Sequence, residues 1–297
     1  MSHRGSALIL LITVLLQATT NAGENEPTNP TNAGEKAGLL AQVNWLTGGL
    51  PEIDNKKAKG NQAIQLHIDQ MKTVGENLAG KKPILIAFVT PQEQAPNYRG
   101  NVIPTKYGIA SNNILNKLFG SQDNDYTMMA KCQLLSCIKV DLSGVKPEDS
   151  KTLSQEDCPI VVLLDEKGKI DACVKGCKTD TFKKINKAAD SLLKKRGLGN
   201  PAKFGEEANV LLNKVRRGHI TILDREKALA ETQKMLDQLM AHPTLSDKEK
   251  EKKSEFPKKR IAEIQEIMKQ AETDIKQFSE QYSQLLAGAL QELKEIP

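Results

Sequence analysis

The run Pro83-Ile84-Leu85-Ile86-Ala87-Phe88-Val89-Thr90 decides how this chain is read. Three later runs share its character: Cys137-Ile138-Lys139-Val140-Asp141-Leu142, Cys158-Pro159-Ile160-Val161-Val162-Leu163-Leu164-Asp165, and Gly168-Lys169-Ile170-Asp171-Ala172-Cys173-Val174. All are short, rich in β-branched residues and bounded by Gly, Pro, Asn or Asp, which is the signature of strands. The last two flank Glu166-Lys167-Gly168 and read as a hairpin.

Helical patterns surround these strands. Asn61 to Leu78 sets Ile64, Ile68 and Met71 on one face, with Leu78 further on, and reads as an amphipathic helix. His67 lies next to that face. No acid or Cys stands at helical spacing to complete a site, so it is expected to be a half-buried packing residue. Leu39 to Leu46, with the only Trp, Trp45, begins the folded part. Pro91 to Ser111 is rich in Pro, Asn, Gly and Gln, and Asn112 to Phe119 reads as a short helix. Thr179 to Lys195 reads as a basic helix whose apolar face includes Phe182, Ile185, Ala189 and Leu192 or Leu193.

Gly197-Leu198-Gly199-Asn200-Pro201 breaks the pattern and marks a boundary. Beyond it only helix is expected: a short one over Glu206 to Arg217, then Asp224 to Ala241 with Leu229, Thr232, Leu236 and Leu239 on one seam. His242-Pro243 stops it, and Ser246-Asp247-Lys248-Glu249 has the form of a capping box. From Pro257 to Ile296 the residues Ile261, Ile264, Met268, Ala271, Ile275, Phe278, Tyr282, Leu285 and Ala289 alternate by three and four, an a/d seam. The Asp224 to Ala241 helix covers less than half of it as an antiparallel partner. The far half then requires the preceding helix, the sheet or a second copy of the chain, and short connections favour packing within one chain.

Residues 1–22 read as a secretory signal peptide: Arg4, an apolar run of ten residues from Ala7 to Leu16, then small and polar residues to a cleavage site near Ala22. The run is too short to span a bilayer as a helix, and no later run is long enough. Residues 23–38, rich in Asn, Thr, Pro, Gly and Glu, are expected to be a disordered linker. A net charge of +5 over 297 residues does not point to a nucleic-acid binder. Export places the five cysteines in an oxidising compartment, where an odd count leaves one unpaired, shared with another chain or bound to something else.

In order and spacing the strands resemble the sheet of the thioredoxin family, over about residues 39–195. The resemblance rests on Lys82 to Phe88 preceded by a helix, and on Cys158-Pro159 followed by strand, Gly turn, strand, Gly176 and a helix. It implies that Pro159 is cis and faces the active-site surface. Redox-active members carry Cys-x-x-Cys just after the first core strand, at a helix N-terminus that stabilises the thiolate. Here the matching segment is Thr90-Pro91-Gln92-Glu93-Gln94-Ala95-Pro96, with Glu93 and Pro96 where the cysteines would be. The buried acid that assists proton transfer in the family falls near Ala87. Nucleophile, resolving thiol and proton acceptor are all missing.

By the same resemblance Cys158 sits at the rim of the active-site surface, with Gly176-Cys177 beside it. A structural Cys158–Cys177 disulfide is the leading reading; it would close a loop of about 19 residues and contribute about 3 kcal/mol. A relocated redox pair, and a thiolate metal site that adds Cys132 or Cys137, are the others. Cys132 and Cys137 stand five apart at the start of a strand, where a turn would let them bridge; Cys173 is then left unpaired and buried. No G-x-S-x-G, H-E-x-x-H or Walker motif appears, and no cofactor or metal is expected. Lys175 to Arg196 holds eight basic and two acidic residues, the composition of a solvated helix face or, alternatively, of a contact with anionic lipid or an acidic partner.

The expected architecture is α/β: a thioredoxin-like domain over 39–196, its central sheet flanked by helices, followed over 202–297 by an all-α helical hairpin or coiled coil. The expected role is an exported binding or scaffold module of the cell envelope, secreted or periplasmic, without a membrane span. It would engage a protein partner through the helices and pair with a second copy if the coiled coil is intermolecular. An atypical thiol-disulfide oxidoreductase using Cys158 and Cys177, or a thiolate metal protein, are the contrasting readings.

Overall fold

Four strands and a helix stand where the sequence places them, in a computed structural model that describes residues 40–49, 60–78, 82–89, 125–142, 153–154, 157–176, 178 and 180–294. The signal peptide, the linker, the Pro91 to Ser111 stretch with Glu93 and Pro96, the Asn112 to Phe119 helix and Cys177 lie outside the described residues.

The elements run β1 (Trp45–Gly48), α1 (Asn61–Gln70), α2 (Lys72–Leu78), β2 (Ile84–Val89), α3 (Thr127–Cys132), β3 (Ser136–Asp141), β4 (Ile160–Leu164), β5 (Ile170–Lys175), α4 (Thr181–Lys195), α5 (Pro201–Met240) and α6 (Asp247–Lys294). The five strands form one mixed sheet in the order β1-β3-β2-β4-β5. β3 pairs in parallel with β1 and β2, whereas β4 is antiparallel to β2 and to β5. The hairpin between β4 and β5 closes as its composition requires. Asp165 Oδ1 accepts from the backbone N–H of Lys167 at 2.9 Å and of Lys169 at 2.8 Å, and Gly168 takes the left-handed φ of 74°.

Each residue of β2 and β4 is buried, because helices cover both faces of the sheet. Ile84, Ile86 and Phe88 point into one apolar layer with Ile64, Ile68, Met71 and Val74 of the α1–α2 side. Leu85, Ala87 and Val89 point into the other, with α3, α4 and α5 and with Tyr282 and Ala289 of α6. This second layer runs without a break from the sheet into the helices beyond residue 200.

Several elements differ from the sequence reading. Asn61 to Leu78 is two helices, since Met71 is extended (ψ 112°) and turns its side chain into the core. His67 is wholly buried rather than half-buried. α3 and β1 carry too short a pattern to register as elements.

Beyond the boundary, α4 ends in a Schellman motif. Gly197, at φ 97°, donates to Lys194, and Leu198 donates to Leu193. Asn200 then caps α5 through the Lys203 N–H at 3.1 Å, with Pro201 in the first turn. α5 is one helix of 40 residues, not two. Gly218 to Ile222 are weak helix formers in isolation, but packing along α6 overrides propensity there. A Cβ on Gly218 would stand 2.5 Å from Ile275 Cγ1, so glycine permits the two backbones to approach.

α6 starts at Asp247, ten residues before Pro257, which sits inside it. The expected box nucleates it: Ser246 N–H donates to Glu249 Oε2 at 3.0 Å, and Glu249 N–H donates to Ser246 Oγ at 3.4 Å. The predicted seam residues Ile264, Ala271, Tyr282 and Ala289 are buried, and Ile261, Met268, Ile275, Phe278 and Leu285 are half-buried. α5 and α6 are antiparallel: Gly218 meets Ile275, and Gly199 N–H donates to Glu292 at 3.0 Å near the opposite end. The far half of the seam therefore finds its partners within the chain, in α5 and in the apolar layer of the sheet.

Candidate functional site

β4 begins directly after the Cys158–Pro159 peptide, which is cis. The end of β5 holds this loop: Gly176 N–H donates to the Asp157 carbonyl at 2.6 Å and to the Pro159 carbonyl at 3.2 Å. Lys175 Nζ stands 3.5 Å from Asp157 Oδ2. Cys158 is 1% exposed, and its Sγ lies 3.7 Å from the Ser154 carbonyl oxygen. Its neighbours are Ile160 and Val162 of the apolar layer, so the sulfur is a core group and not a surface nucleophile.

Cys173 pairs across the hairpin with Val162 and is half-buried rather than buried. Burial pushes its thiol up, against the opposing pull of Lys175 and with a further push from Asp157. A redox nucleophile requires the reverse, a thiol lowered toward thiolate at neutral pH.

Cys132 and Cys137 lie on the other face of the sheet. Cys132 is the last residue of α3, and Cys137 sits on β3 opposite Leu85 and Trp45. The expected neighbourhood is present and holds two thiols. Cys137 Sγ donates to the Cys132 carbonyl at 3.8 Å. Burial pushes the Cys132 thiol well up, and the adjacent Cys137 adds to the shift.

The metal set that joins Cys158 to Cys132 or Cys137 is corrected by this placement. Side chains alternate across a strand, and the sheet separates the two groups. Among the described residues no three His, Cys, Asp or Glu side chains gather at ligating distance. Ala87 is fully enclosed in β2.

Two buried polar groups escaped the sequence reading. Lys131 of α3 is 1% exposed and crosses to α4, with its Nζ 2.5 Å from Asp190 Oδ1 and 2.7 Å from Asn186 Oδ1. Its stem runs beneath Gly205 of α5, where a Cβ would lie 2.7 Å from Lys131 Cε. A lone lysine reads as solvated by default, although Lys131 stands between Met128-Met129-Ala130 and Leu134-Leu135. The Tyr282 hydroxyl of α6 is also buried, with no hydrogen-bond partner among the described residues.

Much of the basic run on α4 is matched by nearby carboxylates. Lys184 lies 2.6 Å from Asp180, Lys195 2.5 Å from Asp171, and Arg196 3.1 Å from Glu166. Exposed pairs of this kind contribute little to stability, but they lower the free positive charge of the face.

Sheet, helices and thiols define a mixed α/β protein whose five-stranded sheet carries a long antiparallel helical hairpin. No family model, curated protein or solved structure matches the chain. No helix among the described residues is long and apolar enough to cross a membrane.

Proposed function

We propose that this chain is an exported, thioredoxin-like protein that has lost the redox motif and works as a binding or scaffold module in the cell envelope. The strand order β1-β3-β2-β4-β5, with β4 reversed against β2, supports the thioredoxin-like reading. One observation carries the non-catalytic part: the segment directly after β2, Thr90 to Pro96, contains no cysteine. The burial of Cys158 and the raised Cys132 and Cys173 thiols agree with it.

The hairpin is the proposed recognition arm. On its outer half Met235 is 63% exposed, Met240 48% and Phe256 70%, beside the exposed Lys252, Lys253, Lys258 and Lys259. Large apolar side chains among charges at a helical tip suit a protein partner. Affinity capture from envelope extracts tests this, with the full chain as bait beside a Met235→Glu/Phe256→Glu variant. A partner retained by the parent and lost by the variant is expected. Identical capture by both baits contradicts the role given to the hairpin.

A second reading, a thiol-disulfide enzyme using Cys158 and Cys177, is favoured by one contact. Gly176, directly before Cys177 in sequence, bonds to the residues on either side of Cys158. The enclosed position of Cys158 weighs against it.

A further inference from the structure

We propose that Cys132 and Cys137 form a redox site: a dithiol that closes to an intramolecular disulfide by exchange with an external disulfide, and whose state is felt by α6 at Tyr282. The inference is independent of the role proposed for the hairpin. It starts from placement. Cys137 Sγ lies 3.8 Å from the Cys132 carbonyl oxygen, both cysteines are buried, and the sheet separates them from Cys158 and Cys173. They bridge the end of α3 and the start of β3, so the bond would close a short loop between two adjoining elements.

α3 has six residues, five of them buried, so an external disulfide reaches the thiols only when this helix opens from the core, and exchange is slow. That opening gives an external disulfide its way in. Tyr282 of α6, 2% exposed, is buried in the same apolar layer as Cys132 and Cys137. This hydroxyl has no hydrogen-bond partner among the described residues, so a rearrangement of the layer it shares with the two sulfurs acts on an unsatisfied polar group.

The chemistry balances as ordinary exchange. One Cys sulfur, as thiolate, attacks the external disulfide; a mixed disulfide forms and one external thiol leaves. The second Cys sulfur attacks that mixed bond, closes Cys132–Cys137 and releases the other external thiol. Two protein thiols are oxidised, one disulfide is reduced to two thiols, and the protons pass to the leaving sulfurs. Since burial holds Cys132 protonated, exchange is slow, and the site is best read at equilibrium.

The full chain is equilibrated in a series of reduced and oxidised glutathione mixtures, quenched in acid, unfolded and alkylated with N-ethylmaleimide. Lys131 and Lys139 bracket the site, so trypsin releases both sulfurs on one peptide, Cys132–Lys139. The expected result is joint loss of both alkyl groups at a single midpoint, leaving the peptide two hydrogens lighter than its unalkylated dithiol form. Amide hydrogen exchange around Tyr282 is expected to differ between the two end states. In a Cys132→Ala/Cys137→Ala chain that difference is expected to vanish. Thiols that stay alkylated at the oxidising end overturn the proposal, as does a glutathione adduct persisting on one sulfur. Closure with unchanged exchange around Tyr282 overturns the coupling to α6; both readouts on the parent chain stand even if the double variant fails to fold.

Discussion

Tyr282 shows what a single atom does in this fold. Its ring fills the layer between α6 and the sheet, but its hydroxyl is buried without a partner among the described residues, at a cost of about 1–3 kcal/mol. Tyr282→Phe keeps the ring and removes that cost, so it is expected to stabilise the protein by about 1 kcal/mol in denaturant titration at neutral pH. Burial, and to a lesser degree Cys132, hold this phenol protonated far above the ordinary tyrosine range. A group whose folded pKa is raised adds stability that is complete below its unfolded pKa and is lost as pH climbs toward the folded value. The parent chain should therefore lose stability above about pH 10, the unfolded tyrosine pKa, more steeply than Tyr282→Phe does. Parallel pH profiles would contradict the burial of the hydroxyl. The sequence placed Tyr282 on the α6 seam, because period is visible in one dimension. The absence of a partner for its oxygen is a three-dimensional fact and was not legible.

Among the elements, the two long helices carry the clearest contrast. Gly288 of α6 and Gly218 of α5 are both interior helical glycines, and alanine has the better propensity by about 1 kcal/mol. A Cβ on Gly288 meets nothing within 4 Å, whereas one on Gly218 drives into Ile275 at 2.5 Å. Gly288→Ala is expected to raise the thermal midpoint. Gly218→Ala is expected to lower it, because separating two packed helices costs more than propensity returns. Equal gains from both would show that α5 and α6 do not approach closely at Gly218.

The strands were legible because β2 and β4 are unbroken apolar runs, and the α6 seam because its spacing holds over four heptads. The continuity of α5 through Gly218 to Ile222 was hidden. Those residues are weak helix formers, and their reason for being helical lies on α6, more than 40 residues away in sequence. α3 is a six-residue helix beside a strand, too short for periodicity to show.

For the molecule as a whole, the boundary at Gly197 to Pro201 separates elements without separating cores. Lys131 makes the connection concrete: it leaves α3, passes under α5 and ends on Asp190 and Asn186 of α4. Lys131→Ala is expected to cost about 3 kcal/mol by leaving a half-enclosed carboxylate unpaired. Lys131→Met with Asp190→Ala should cost less, since an apolar stem replaces both charges. If the single change is the milder one in chemical denaturation, the ion pair is not what joins these helices.

The α/β class, four of the five strands and the helical region could be read from the sequence. The contact between sheet and hairpin could not, because it depends on side chains from α3, α4, α5 and α6 that no local pattern relates. The claim on which the functional account turns is that no thiol in this chain drives catalysis. Dithiothreitol-driven reduction of insulin, followed by turbidity with the mature full-length protein, tests it most directly. The account predicts a rate indistinguishable from dithiothreitol alone, for the parent and for Cys158→Ser alike. Rapid reduction by the parent that disappears in Cys158→Ser would contradict it.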